Sequence, residues 1–349
     1  MASVDVHRSF VHFMASFHTT DSVLFIRCSG ELPGGPGERG KRRTMHSRIC
    51  RWLIFSALFF CASGAWAQCH SPVLGEKNIA ALKQQAASGK AEAQCGLGMM
   101  YDMGVGVPQD FTQAAIWLTK AAEQGDPDAE GPLGVLYRDG LGVPQDYTKA
   151  LLWLRKAAEQ GVDGAQYNLG AMYASGKGVP QDYAEAVRWT QKAADQGITK
   201  AQYALGYAYA NGKGVPQDFA LAALWYRKAA EQGFASAQNS LGFAYEFGQG
   251  VPKDFSQAAY WYRKAAEQGK ADAQMALGVL YVRGAGLPQD YAEAYFWFDV
   301  AAAGNLSAVD AENDVKDRDQ AASELTKTVL LQTQERARKW FEAHQAKPQ

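Results

Sequence analysis

The chain has 349 residues with 35 basic and 36 acidic side chains, a formal charge of −1, and this balance supplies none of the basic excess that nucleic acid or an anionic membrane draws on. Length alone would allow two or three ordinary domains, but a pentapeptide of the form Gly-hydrophobic-Pro-x-Asp begins at Gly106, Gly142, Gly178, Gly214, Gly250 and Gly286, and this 36-residue period overrides that count. A catalytic site is normally built once, so a sixfold signature points to structure before chemistry.

The first 44 residues show no helical period and carry a Gly/Pro-rich stretch at 31–43. A basic run and the apolar residues 52–67 follow, closing on Ala65-Trp66-Ala67, the small-x-small pattern of a cleavage site. Residues 45–67 are therefore expected to be a signal peptide cleaved after Ala67. Translation would start at Met45 and residues 1–44 would be a start-site artefact; on the alternative of an internal signal anchor they form a poorly ordered cytoplasmic tail. The apolar stretch is shorter than the roughly 20 residues that span a bilayer as a helix. The residues before Cys61 and Cys69 lack the lipoprotein pattern, so no stable membrane anchor is expected. Cleavage would leave 27 basic against 32 acidic residues, a formal charge of −5, and two of the five cysteines, Cys69 and Cys95. In an oxidising compartment these two are a candidate disulfide; the other reading is a buried Cys95 beside a loose Cys69.

Residues 68–89 include ALKQQAASG, which reads as a lone second helix and an N-terminal cap. Six copies follow at 90–305, each predicted as two helices. In the first helix Leu97, Leu133, Leu169, Leu205, Leu241 and Leu277 have Ala four residues before and Tyr four residues after, so Ala, Leu and Tyr share one core face. The Gly after each Leu costs about 1 kcal/mol in a helix interior, so its recurrence calls for a close helix neighbour. Gly104 and its equivalents suit a left-handed C-terminal cap. The pentapeptide is then a connector: its Gly and Pro turn the chain, its hydrophobic residue plugs the interface and its Asp caps the second helix. Asp182 with Glu185, Asp290 with Glu293, Asp110 with Gln113 and Asp254 with Gln257 fit capping boxes. The second helix carries Trp117, Trp153, Trp189, Trp225, Trp261 and Trp297 and usually closes with KAAEQG, where Lys120 and Glu123 and their equivalents are expected to be exposed i,i+3 pairs. Pro132, inside a first helix, is expected to kink or shorten it.

The pattern AxAQxxLGxxYxxGxGVPQDxxxAxxWYxKAAEQG resembles the Sel-one-like repeat (SLR), a relative of the tetratricopeptide repeat with a longer unit, over residues 90–305. The resemblance implies an all-α fold, a right-handed α/α superhelical solenoid of six helix-turn-helix repeats, working by binding other molecules. Many bacterial relatives are exported, and some are linked to the envelope or to host contact. The cysteines of the cysteine-rich branch are absent here, so no enzymatic role carries over from it. Residues 306–349 are predicted as a C-terminal helical cap, with Leu325, Val329, Leu330, Ala337, Trp340 and Phe341 on apolar spacing.

All six histidines fall outside the repeats, which removes histidine acid/base chemistry and histidine metal sites from the array. No catalytic residue, metal or cofactor is expected. Lys177 after Gly176 departs from a phosphate loop in spacing and in the residue that follows, and reads as a turn. Cys95 has no histidine in its copy to activate it. By analogy with tetratricopeptide arrays, the inner face of the third to fifth copies selects Tyr167, Tyr203, Tyr207, Asn211, Asn239, Phe243, Glu246 and Phe247 as a candidate groove for a peptide or glycan. The competing reading is that these aromatics pack between first helices. The expected function is a non-enzymatic scaffold, periplasmic or secreted, that binds a protein or peptide partner of the bacterial envelope and no nucleic acid. An envelope hydrolase or cell-wall-modifying factor is the alternative, and a purely structural envelope role shares the same fold.

Overall fold

The computed structural model describes residues 76–303 and 308–345. The expected signal peptide, the start site and Cys69 lie outside the described residues. Fifteen helices and no strand occur among the described residues. A single helix, α1 (Glu76–Ala87), precedes six pairs: α2 (Ala91–Met103) with α3 (Phe111–Glu123), α4 (Pro127–Asp139) with α5 (Tyr147–Glu159), α6 (Asp163–Ser175) with α7 (Tyr183–Asp195), α8 (Thr199–Asn211) with α9 (Phe219–Glu231), α10 (Ala235–Phe247) with α11 (Phe255–Ala266), and α12 (Ala271–Arg283) with α13 (Tyr291–Ala302). Two closing helices, α14 (Ala308–Ser323) and α15 (Lys327–Gln345), both pack on α13. Each helix of the array packs on the helix before and after it, giving an all-α solenoid.

The recurring residues are the frame. The Ala and Leu of the first helix are buried throughout, Leu133, Leu169, Leu241 and Leu277 completely. Burying a leucine side chain contributes about 1.5–3 kcal/mol relative to leaving it in water. The Gly after each Leu admits the second helix of its own copy: a Cβ on Gly134 would lie 2.7 Å from Leu154 Cγ and 3.0 Å from the Leu154 backbone nitrogen. At the other end of the connector, Gly142 has φ +69° and a Cβ there would lie 2.1 Å from the carbonyl carbon of Phe111 in the preceding copy. From the second copy onward the pentapeptide glycine is thus a backbone contact with the preceding copy, whereas Gly106 meets the Ile79 and Met100 side chains.

The rest of the pentapeptide is accounted for in the same way. Asp110, Asp146, Asp182, Asp254 and Asp290 each accept from two free backbone N–H groups of the following helix, whereas Asp218 accepts from Leu221 alone. The glutamine before Asp sends its amide back to a carbonyl in the last turn of the first helix, as Gln109 does to Asp102 and Gln181 to Ala174, both at 2.8 Å. Val143 and Leu287 pack on the core.

Three expectations are corrected. The capping boxes are not closed, because the backbone N–H of each Asp donates to the carbonyl of the LGxxY tyrosine, as from Asp182 to Tyr173 at 3.0 Å, which leaves Glu185 to pair with Arg188 and Glu293 with Arg336. The KAAEQG lysines do not pair with glutamate three residues on. Lys120, Lys156, Lys192 and Lys228 instead lie 3.9–4.4 Å from the centroid of their own tryptophan ring, an attraction to the ring face that a screened surface ion pair does not exceed. Pro132 does not shorten its helix, since α4 has 13 residues like α2.

Candidate functional site

The eight groove positions divide by their surroundings. Tyr203 is half-buried, its ring 5.7 Å from Tyr226 on α9 and 5.2 Å from Phe234 in the connector before α10. Tyr167 likewise packs on the core cluster around Ala193, Leu205 and Trp225. Both belong to the seams between helices. Tyr207, Phe243 and Phe247 are 44%, 44% and 55% exposed, although each sits on a first helix whose opposite face is buried. Phe243 and Phe247 lie one turn apart, with ring centroids separated by 4.4 Å and planes tilted by 38°. Lys213 stands 5.2 Å from the centroid of Tyr207. Asn211 is exposed and turns its amide back to the Tyr207 carbonyl at 2.8 Å; Asn239 is half-buried.

Glu246 is 9% exposed and stands one turn after Phe243 on the same helix. Its Oε2 accepts from the Tyr262 hydroxyl at 2.8 Å. Burial, then the neighbouring Glu246 charge, push the Tyr262 phenol far above its usual range, so the hydroxyl keeps its proton and remains a donor to the carboxylate. Cys95 is 8% exposed and its thiol is pushed up by burial and then by Asp126 and Asp128; a thiol held protonated is a poor nucleophile. Its proposed partner Cys69 lies outside the described residues. Among the described residues no group of His, Cys, Asp and Glu is placed to hold a metal ion, and no helix is long and apolar enough to cross a membrane.

A family model for the Sel1 repeat matches residues 91–126, 131–162, 164–198, 199–234, 235–270 and 271–306. The chain belongs to the Sel1 repeat family. Its structure resembles that of c5321, described as a protective antigen of uropathogenic Escherichia coli with an SLR fold, at a TM-score of 0.62 and 40% identity over 70% of this chain and 56% of that one. A Sel1 repeat protein from Oxalobacter formigenes gives a TM-score of 0.58 and 32% identity over 66% of this chain and 92% of that one. Among curated proteins, the secretory immunoglobulin A-binding protein EsiB of Escherichia coli O6:H1 is 44% identical over 66 residues. That match spans 19% of this chain and 14% of EsiB. Sel1 repeat proteins are in general protein-interaction scaffolds without catalytic function.

Two further features of this Sel1 array were not singled out from the sequence. On the second helices, the residue before each tryptophan reads Ile116, Leu152, Arg188, Leu224, Tyr260 and Phe296, and four of these are 42–51% exposed. Their signal was available, because an apolar position that changes identity between copies cannot be serving the frame. Phe296 alone is buried, under Arg336 of α15. At that end, a cleft of about 460 Å³ lies between α11, α12, α13 and α15. Of its lining residues, Arg336 pairs with Glu293, Arg263 donates to the Tyr281 hydroxyl, and Asp290 caps the α13 N-terminus. The Trp297 indole N–H beside it is buried without an acceptor among the described residues.

Proposed function

We propose that this protein is an exported, non-enzymatic scaffold whose first-helix face in the third to fifth copies holds a protein segment of the bacterial envelope or of a host surface. The observation that supports this most directly is the exposure of Tyr207, Phe243 and Phe247 on first helices whose other aromatic residues are half-buried. Exposed aromatic side chains on a rigid element supply contact area at low entropic cost, the usual make-up of a binding hot spot. Export rests on the signal-peptide pattern of residues 45–67.

Of the five aromatics selected by sequence, Tyr167 and Tyr203 are engaged in the seams between helices, which leaves Tyr207, Phe243 and Phe247 for the groove. The test compares the full chain with the triple variant Tyr207→Ala, Phe243→Ala, Phe247→Ala in crosslinking capture from envelope extract. A partner retained by the first and lost by the second, with helicity unchanged, supports the groove; identical capture by both sinks it. EsiB's name makes secretory immunoglobulin A a defined probe for the same pair, and failure of the full chain to retain it removes that partner. The mass of the mature N-terminus tests cleavage after Ala67.

A further inference from the structure

The pairing of Glu246 with Tyr262 occurs in one copy only. The position of Glu246 is held by Asp102, Arg138, Ala174, Ala210 and Val282 elsewhere, and that of Tyr262 by Leu118, Leu154, Thr190, Tyr226 and Phe298. A tyrosine there does not require a carboxylate: Tyr226 faces Ala210 and its hydroxyl is served by Ser240. Glu246 is therefore not explained by the frame. An ionised carboxylate can accept about four hydrogen bonds, and one buried with a single hydroxyl donor is poorly compensated, since buried charges are normally paired. Among the described residues no Lys or Arg forms an ion pair with Glu246. The lysines of the connectors on either side are engaged with rings, Lys213 over Tyr207 and Tyr183, and Lys253 over Phe255 at 4.5 Å. Two exposed phenyl rings and a buried carboxylate without an ion-pair partner thus lie within one turn of α10.

We propose that Phe243, Phe247 and Glu246 form a subsite for one cationic side chain, the lysine or arginine of a bound protein segment, with its alkyl stem on the two rings and its charge at the Glu246 carboxylate. Such a residue supplies the missing donors, adds attraction to the ring faces, and buries its stem against apolar surface. The subsite rests on the groove reading above and gives it a chemistry: the preferred segment is basic, in keeping with the acidic balance of residues 68–349.

The test uses dodecamer peptides from a phage-displayed random library, selected on the immobilised full chain and resynthesised with each lysine replaced by Nε-acetyl-lysine and each arginine by citrulline. The expected result is enrichment of basic peptides that bind about tenfold more weakly once neutralised. Glu246→Gln keeps an acceptor for the Tyr262 hydroxyl and should cause a similar loss for the basic peptide while leaving the neutralised peptide unaffected. Peptides that need Phe243 and Phe247 but ignore both neutralisation and Glu246→Gln would overturn the subsite and leave the groove standing. Peptides indifferent to Phe243→Ala and Phe247→Ala would overturn the groove reading and the subsite with it.

Discussion

At the scale of single residues, a buried amide ladder joins the copies. Gln94, Gln166, Gln202 and Gln238 each donate to an Ala carbonyl eight residues earlier and accept from a Gln thirty residues later, as Gln202 does with Ala194 at 3.3 Å and Gln232 at 2.8 Å. The second copy has Glu130 in this place, 2% exposed, accepting from Gln160 at 2.7 Å. As a carboxylate it cannot donate to the Ala122 carbonyl. Burial raises its pKa, with Lys156 and Gln160 pulling the other way. A carboxyl with a raised folded-state pKa carries no penalty below its unfolded value, where both states are protonated, and the penalty grows as pH rises through the folded value. Glu130→Gln is therefore expected to stabilise the protein at pH 7 by about 1 kcal/mol, with the gain vanishing in acid. Urea unfolding of both forms across pH 4–8 reads this, and a pH-independent difference would contradict it. The odd glutamate is visible in the sequence; its partner is not, because a pairing thirty residues apart exists only once the copies are stacked. The helical glycines were legible as close approaches, and they separate by site: Gly134→Ala, facing the Leu154 backbone, should cost roughly 1–3 kcal/mol. Gly164→Ala, with nothing within 4 Å of the added Cβ, should be stabilising by up to about 1 kcal/mol. Thermal melts that rank the two the other way would refute the packing account.

At the scale of elements, each copy is punctuated by its connector. The glycine C-caps adopt the left-handed conformation, Gly176 at φ +69° donating to the Met172 carbonyl, and the Asp N-caps were legible because Asp before a helical period has one dominant structural use. The reciprocal half of the capping boxes was not, because local spacing cannot reveal that the tyrosine carbonyl of the preceding helix already takes the Asp N–H. The Lys–Glu pairs failed for a related reason, since a tryptophan ring three residues earlier competes for the ammonium. Pro132, the sixth residue of α4, forgoes the bond to the Asp128 carbonyl, yet the helix runs its full 13 residues. The caps differ in a measurable way. Asp182 accepts from both Ala184 and Glu185, Asp218 from Leu221 alone. Asp182→Ala should lower stability by roughly 1–2 kcal/mol and Asp218→Ala by less, roughly 0.5–1 kcal/mol. Equal shifts in the urea midpoint would mean that the bond to the tyrosine carbonyl, common to both, sets the connector rather than the side chain.

At the scale of the whole array, packing runs almost wholly between neighbouring helices, with direct contact between successive first helices at α2–α4 and α4–α6. That architecture was legible in full, since a fixed period, a core face and a connector determine which helix each helix must meet. The groove was legible only in part. Tyr203 and Tyr207 are the same residue type one turn apart, and what separates them is the approach of Tyr226 and Phe234 to Tyr203, which the local spacing of the first helix does not contain. The same one-dimensional packing governs how the molecule unfolds. A solenoid's stability is close to a sum of copy and interface energies, so a defect in a central copy weakens two interfaces and leaves the rest intact. Leu205, 1% exposed in the fourth copy beside Trp225, is the position at which to apply this. Leu205→Ala removes apolar contacts that the neighbours cannot refill and costs roughly 2–5 kcal/mol, and that loss should fall on the fourth copy and its two seams. Hydrogen exchange in mild urea should then show α8 and α9 losing protection first, with α2–α5 holding near their wild-type values and α12–α15 unfolding at their own midpoint. A uniform drop in protection across all copies would show a single cooperative unit, and would mean that contacts beyond nearest neighbours carry more of the stability than the stacking order implies.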